Sequence, residues 1–414
     1  MTLVQPQTPS AWWPQAGVTR VPYRLYGDAA IYERERARLF GGRTWNYLCL
    51  EAELPNKGDY KTTYVGDMPV VVVRDHDGRI NGFENRCSHR GAQLCLDRFG
   101  NKRKIACVYH GWTFDLSGNL TAVAFQKGIK GKGGMPEDFK LGDHNLRKLK
   151  VETFAGLVFG SFADDMPSVE TYLGPEIAAS IRRVFNRPIK LLGYNNQVLR
   201  NNWKLYVENV KDPYHASILH LFFTTFRINR LSQSGGIVVD DAGGHHVSYS
   251  KIDRSDISRE YEAQGLRSAK EEFGLADPSL LESPDEFGDG VTLQILTVFP
   301  NFVVQQIQNS LAVRQVVPKG IDRTELMWTY FGFADDDAKM DMLRLKQSNL
   351  IGPAGYISLE DGAVGEFVQR SLAVAGDDST LVEMGGRTVE SQDTRATETS
   401  IRGFWQVYRQ LMEV

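Results

Sequence analysis

The segment Cys87-Ser88-His89-Arg90-Gly91, answered further on by Cys107-Val108-Tyr109-His110-Gly111, decides how the first half of this chain is read. It pairs a thiol with an imidazole twice: Cys-x-His, an interval of seventeen residues, then Cys-x-x-His. Two thiolates and two imidazoles at this spacing are the donor set of a Rieske-type [2Fe–2S] centre, in which one iron takes two cysteines and the other two histidines. Neutral imidazoles in place of thiolates raise the reduction potential, which suits a centre that takes up single electrons and passes them on. The competing use of Cys87, His89, Cys107 and His110 is a Cys2His2 zinc site. Zinc motifs usually set Cys beside Cys and His beside His, and the alternation here favours iron. Gly91 and Gly111 follow the two pairs, where backbone has to pass close to a cluster.

Around these motifs the pattern is that of short strands. Residues 47–50, 59–64, 69–74 and 151–159 read as strands, divided by Gly, Pro and Asp-Gly signals. Asp75-His76-Asp77-Gly78 and Leu116-Ser117-Gly118-Asn119 read as hairpin turns. Residues 45–155 are therefore expected to form a small antiparallel domain carrying both motifs on loops. Residues 1–44, with a helical pattern over 30–40, and 156–414 form the rest. There helices are expected over 169–185, 202–220, 337–347 and 395–413, and strands over 237–252, 291–308, 312–318 and 326–334. Residues 253–290 and 377–394 read as surface excursions. The fold class is α+β: an antiparallel β domain plus a second domain with an antiparallel sheet flanked by helices.

Composition excludes several classes. A chain of 414 residues suggests two to three domains, and 42% hydrophobic with 24% charged residues is ordinary for a globular protein. A net charge of −3 gives no nucleic-acid footprint. No apolar run is long enough to span a bilayer, and no secretory signal is seen, so a cytoplasmic location is expected. Four cysteines do not make a disulfide framework, and Cys49 and Cys95 sit in apolar contexts as packing residues. No Gly-x-Gly-x-x-Gly follows a strand, and the run from Gly128 to Gly134 lacks the Ser or Thr that a phosphate loop needs. The chain can store an electron but shows no means of taking hydride from a nicotinamide.

A second signal is Glu208-Asn209-Val210-Lys211-Asp212-Pro213-Tyr214-His215-Ala216-Ser217-Ile218-Leu219-His220. A spacing of five leaves His215 and His220 on neighbouring faces of a helix, more so if the helix loosens there. Two histidines and one carboxylate make the facial triad of non-haem Fe(II) oxygenases, with positions left open for O2 chemistry. The best third ligand is Asp361, with Glu360 second. Hydrogen-bonded core histidines are the alternative, but an electron-storing cluster needs somewhere to send its electron.

With both motifs in this order, the chain resembles the large catalytic subunits of Rieske non-haem iron aromatic-ring-hydroxylating oxygenases. The similarity runs over nearly the whole length. It implies a Rieske [2Fe–2S] cluster, a mononuclear Fe(II), O2 as co-substrate and electrons from a separate NAD(P)H-dependent reductase. It implies that Asp212 bridges the cluster histidine of one subunit and the iron-ligating histidine of the next, and that Asn209 lies near the iron. An N-cap or surface role is the alternative for Asp212, and helix-surface hydrogen bonding for Asn209. Trimers of large subunits, or three-plus-three hexamers with a small β subunit, are the assemblies implied.

Segments 45–51, 290–296 and 305–310 resemble the terephthalate-type members most, within a group that includes salicylate and anthranilate enzymes. A carboxylate in an apolar pocket needs a cation. The resemblance maps carboxylate contacts onto Arg314 and Arg395, with Ile295 on the pocket wall; an internal Arg–Glu pair, such as Arg395 with Glu398, is the alternative. Lys102-Arg103-Lys104 is a candidate docking patch for an acidic reductase. The expected function is cis-dihydroxylation of an aromatic carboxylate, terephthalate first, with a salicylate- or anthranilate-type hydroxylase second. A Rieske electron carrier without oxygenase activity is more remote, and a zinc-binding scaffold more remote still.

Overall fold

The structure, a computed structural model, describes residues 13–251, 261, 263–265 and 273–414. It divides into two compact units: Phe40–Val169, and the chain before Phe40 together with that after Val169.

The smaller unit is all antiparallel. Its strands are β1 (Asn46–Leu50), β2 (Asp59–Val65), β3 (Met68–Arg74), β4 (Ile80–Glu84), β5 (Phe99–Asn101), β6 (Ile105–Ala106), β7 (Thr113–Phe114), β8 (Leu120–Ala122), β9 (Lys148–Phe154) and β10 (Leu157–Ser161). One sheet runs β1-β10-β9-β4-β3-β2-β5 and a second β6-β7-β8. The run Val70-Val71-Val72-Val73 is fully buried, as β-branched side chains on both faces of an inner strand should be. Both Asp-led turns use one device. Asp75 accepts from the amides of Asp77 and Arg79 and from Asn81, and Asp115 from the amides of Ser117 and Asn119 and from the Asn119 side chain. Gly78 (φ +88°) and Gly118 (φ +79°) supply the left-handed residue each turn requires.

The larger unit is a sheet carrying helices. Its strands are β11 (Ile189–Leu199), β12 (Gly235–Val239), β13 (His246–Ser250), β14 (Leu293–Val298), β15 (Phe302–Ile307), β16 (Ser310–Pro318) and β17 (Thr324–Phe333), in the order β11-β17-β16-β15-β14-β13-β12. The helices are α1 (Ala29–Glu35), α2 (Val169–Leu173), α3 (Pro175–Val184), α4 (Trp203–Lys211), α5 (Pro213–Leu219), α6 (Leu221–Thr225), α7 (Ala338–Ile351), α8 (Tyr356–Leu372) and α9 (Thr399–Met412). Register sets one sheet face. Ser248, Ile295, Gln305 and Ala312 are cross-strand partners, and Val303, Arg314 and Trp328 form the next row two residues along. Helix α4 packs on β14, β16 and α8.

Several expected elements are subdivided. The helix over 202–220 breaks at Asp212-Pro213, because proline removes an N–H and pushes the residue before it into extended conformation; Asp212 has φ −100° and ψ 95°. The helix over 169–185 breaks at Gly174 (φ +74°), and Pro175 opens α3. The strands over 151–159, 237–252 and 291–308 each contain an antiparallel hairpin, β9–β10, β12–β13 and β14–β15, whose turns interrupt apolar runs; Ile252 lies outside the described residues. The last helix begins at Thr399, leaving Arg395 in the approach to it. Strand β11 and helix α8 were not expected. Of the excursion 253–290, residues 253–260, 262 and 266–272 lie outside the described residues, and the remainder from Phe273 holds one 3-10 turn, Pro278–Leu281.

Helix α9 meets the β12–β13 turn at Gly403, where an added Cβ would lie 2.2 Å from the Gly243 carbonyl oxygen. Alanine gains about 1 kcal/mol of helix propensity over glycine, but backbone cannot yield as a side-chain tip can. Gly403→Ala should therefore be net destabilising by about 1–3 kcal/mol, seen as a lower Tm. An unchanged Tm would contradict this close approach.

Candidate active site

In the smaller unit the two donor loops are near copies. The Cys87 amide donates to the Ala92 carbonyl and the Gly91 amide to the Cys87 carbonyl; Cys107 and Trp112, and Gly111 and Cys107, repeat the pattern. Gly91 (φ +74°) and Gly111 (φ +66°) make both turns possible. Cys87 and Cys107 are buried, and burial, outweighing backbone hydrogen bonds, pushes the Cys87 thiol up. His89 is exposed and its ring lies 4.7 Å from that of His110 and 4.6 Å, stacked, from Trp112. The His110 Nδ1 is buried and has no hydrogen-bond partner. Two enclosed thiols, two clustered imidazoles and an orphaned ring nitrogen suit a mixed Cys/His cluster. Cys49 and Cys95 are buried packing thiols, the latter pushed up to about 11 by burial.

In the larger unit the break after α4 builds the second donor set. The Asp212 carboxylate accepts from the amides of Tyr214 and His215, capping α5. His215 is then in the first turn of α5, and His220 stands where α5 gives way to α6. Asp361 comes from α8. One ligand atom from each of His215, His220 and Asp361 lies within 4.8 Å of the others. The Nε2 atoms of His215 and His220 are 3.4 and 3.3 Å from Asp361 Oδ1. The outer nitrogens meet other acids: His215 Nδ1 is 3.3 Å from Asp212 Oδ2, and His220 Nδ1 is 2.7 Å from Glu360 Oε2. Outer acids of this kind fix the tautomer and aim of a ligating imidazole. Asn209 Nδ2 donates to Asp361 Oδ1 at 3.2 Å and is 3.4 Å from His215 Nε2. Glu360, the second candidate for the carboxylate ligand, thus sits behind His220 and not among the converging atoms.

Burial alone would lower the His215 imidazole, but Asp212 and Asp361 overcome it and lift the group to about 10. His220 is raised in the same way, chiefly by Asp361 against burial. Burial would raise Asp361, and the two histidines instead hold it well below the carboxylate range. The raised imidazoles and the depressed carboxylate thus stabilise one another, and the three groups could hold one divalent ion with sides left open.

Beside this trio is a cavity lined by both histidines, Asp361, Phe223, Leu293, Ile295, Ile307, Gln305, Trp328, Arg314 and Arg395, among others. Ile295 is part of this lining. Both arginines are buried and held by neutral acceptors. Arg314 donates to Tyr206 Oη (2.7 Å) and Gln305 Oε1 and lies over the Trp328 ring. Arg395 donates to Asn229 Oδ1 and the Arg230 carbonyl, and the absence of a side chain at Gly235 leaves room for its Nε. Among the described residues neither forms a salt bridge. Glu398 instead accepts from the Met384 amide, so the Arg395–Glu398 pair is not formed. Burial lowers Arg395 to about 10, which leaves it a cation at neutral pH. Tyr206 and Asn229 escaped the sequence reading, and Glu360 entered it only as a second candidate ligand; the place of each is recognisable only once the sheet and helices bring it beside its partner.

The fold and donor sets define a class. The chain matches the Rieske [2Fe-2S] domain over residues 44–132 and the ring hydroxylating alpha subunit (catalytic domain) over 184–414. It belongs to the family of ring-hydroxylating oxygenase alpha subunits, oxidoreductases that use a Rieske cluster and a non-haem iron; a zinc scaffold is set aside. Among its relatives is the terephthalate 1,2-dioxygenase terminal oxygenase component subunit alpha 2 of Comamonas sp, 58% identical over 97% of both chains. The anthranilate 1,2-dioxygenase large subunit of Burkholderia cepacia is 47% identical over 97% of this chain and 95% of its own. A crystal structure of naphthalene 1,2-dioxygenase from Rhodococcus sp. bound to indole superposes with a TM-score of 0.77 at 25% identity, covering 95% of this chain and 94% of that one.

Because His215 titrates near 10 without metal, loading the trio must expel a proton at neutral pH. Apparent Fe(II) or Co(II) affinity should rise at least about tenfold per pH unit between roughly pH 6 and 9, and more steeply where His220 also gives up a proton. Metal titration of apoprotein at several pH values reads the slope; a pH-independent affinity would contradict the protonated trio.

Proposed function

We propose that this chain is the terminal oxygenase large subunit that cis-dihydroxylates an aromatic dicarboxylate, terephthalate. The observation that carries the substrate reading is the pair of buried arginines, Arg314 and Arg395, on one apolar cavity with no carboxylate partner among the described residues. A buried cation without a counter-charge is costly, by several kcal/mol, and two ligand carboxylates offset that cost. The 58% identical relative named for terephthalate supports the same choice.

Cys87, His89, Cys107 and His110 are assigned to the cluster, and His215, His220 and Asp361 to the mononuclear iron. When bound, these groups supply single-electron storage and O2 activation at open metal positions. The protein's own side chains do the rest. Glu360 holds the His220 ring by its outer nitrogen, the Asp212 carboxylate stands 3.3 Å from that of His215, and Asn209 steadies Asp361. The apolar wall of Leu293, Ile295, Ile307 and Phe223 excludes water from the ring to be oxidised. Asp212 also lines a second cavity with His215, Glu208 and Glu398, which supports its reading as the side from which electrons arrive. Arg103 and Lys104 are exposed, as a reductase docking patch needs. A small β subunit and an assembly of three large subunits complete the proposed enzyme, located in the cytoplasm. No helix among the described residues is long and apolar enough to cross a membrane.

A panel of aromatic mono- and dicarboxylates with a reductase, followed by product mass, tests the reading. Iron content should be about three per chain; a value near two would indicate an electron carrier. Arg395→Ala should lower kcat/KM for terephthalate by the equivalent of about 2–5 kcal/mol and spare small monocarboxylates, whereas Arg314→Ala should damage both. Unchanged terephthalate turnover in Arg395→Ala, or a wild-type preference for monoacids, would leave a salicylate- or anthranilate-type hydroxylase. Asp212→Asn should keep both metal centres and a reducible cluster while turnover falls by orders of magnitude; Asp212→Ala should in addition lose about 1 kcal/mol of capping stability. Near-normal turnover of fully loaded Asp212→Asn would make this carboxylate a cap and nothing more.

A further inference from the structure

The Arg314 end of the cavity has a feature that two arginines alone do not explain. A guanidinium carries donors and no acceptor. Gln305 therefore has to turn its Oε1 toward Arg314, as it does, since the flipped amide would set donor against donor. That contact fixes the direction of the other half of the amide. Gln305 Nε2 is buried and without a partner, and so are Arg314 Nε and Trp328 Nε1. Gln305, Arg314 and Trp328 are at most 6% exposed, share one sheet face on β15, β16 and β17, and line the same cavity. Three orphaned donors at one end, with no orphaned acceptor beside them on these residues, are unusual, because buried polar groups are nearly always paired.

We propose that Gln305 and Trp328 are specificity-determining residues that make the Arg314 end a donor-only cradle, reading an ionised carboxylate and rejecting a carboxamide. This rests on the aromatic-dicarboxylate reading and deepens it. An ionised carboxylate brings two oxygens that only accept, enough to pair the orphaned donors. A carboxamide brings one acceptor and an NH2 that would meet donors. The Arg395 end presents one orphaned donor, its Nε, with the Ser248 hydroxyl elsewhere on the cavity lining able to donate or accept. The two ends are chemically unequal, and the stringent one is set by an amide whose orientation Arg314 dictates.

The test uses iron-loaded enzyme with its reductase and two probes, terephthalate and its monoamide, 4-carbamoylbenzoate. Calorimetric Kd and kcat/KM are measured for wild type, Gln305→Glu and Trp328→Phe. Gln305→Glu keeps the acceptor on Arg314, removes the NH2 donor and neutralises the cation. The ratio of terephthalate to monoamide should fall at least tenfold in that variant. Trp328→Phe keeps the ring under Arg314 and removes only the N–H; its ratio should fall about threefold to tenfold, which provides a second check should Gln305→Glu fold poorly. Ratios unchanged from wild type in the folded variants would overturn the cradle while leaving the dicarboxylate reading intact. A wild type that binds no aromatic acid would overturn both.

Discussion

The active site depends on one carboxylate at one break in a helix. Asp212 precedes Pro213, so it is forced out of helical conformation, and from there its side chain caps the new helix with one oxygen and faces His215 with the other. The cap and the histidine contact are therefore not alternatives. A continuous helix would carry Asp212 and His215 past each other at helical spacing without freeing the amides of Tyr214 and His215. The break makes those amides available, turns α5 on a new axis and ends it soon enough for His220 to leave helical geometry. The cap and the contact with His215 share one geometry.

Burial of charge follows two regimes in the larger unit. Beneath α4, charges are paired: Lys204 and Glu35 are 2.7 Å apart and almost wholly enclosed, with Trp203 and Tyr408 also bonded to the glutamate. Arg344 is matched by Glu286 and Asp336. Glu208 is held by Tyr26 and Trp405, and burial still pushes it up to about 7. The groups around Glu35 and Glu208 tie α1, α4 and α9 together. On the cavity Arg314 and Arg395 meet no carboxylate among the described residues and are steadied by neutral oxygens.

What could be read in the sequence was whatever depends on neighbours along the chain. Both donor pairs, the Asp-led turns and the 212–220 run are local, and their residues carry their own geometry. Helix α8 was hidden by Gly355, Gly362 and Gly365, which read as breakers. In the structure Gly362 and Gly365 are places of close packing, since a Cβ at Gly365 would fall 2.1 Å from Asn201 Nδ2. Strand β11 was hidden by polar Asn195 and Asn196 and by a register shift between Leu191 and Gly193, both tolerable at a sheet edge. The β14–β15 hairpin was merged because strands buried on both faces lose the alternation that marks a turn's approach. The partners of the arginines come from four distant segments, and no local pattern announces them.

The proposed metal donors and most of the proposed substrate-facing residues come from different parts of this unit. The former stand on α5, its end and α8, whereas Ile295, Gln305, Arg314 and Trp328 occupy alternate positions on a continuous antiparallel sheet. Along such strands each second side chain can be exchanged while its neighbours, pointing the other way, keep the sheet packed. Diversification of diet is then cheap for this architecture: a lineage can acquire a new aromatic nutrient by drift at a few floor positions, with the redox machinery inherited intact.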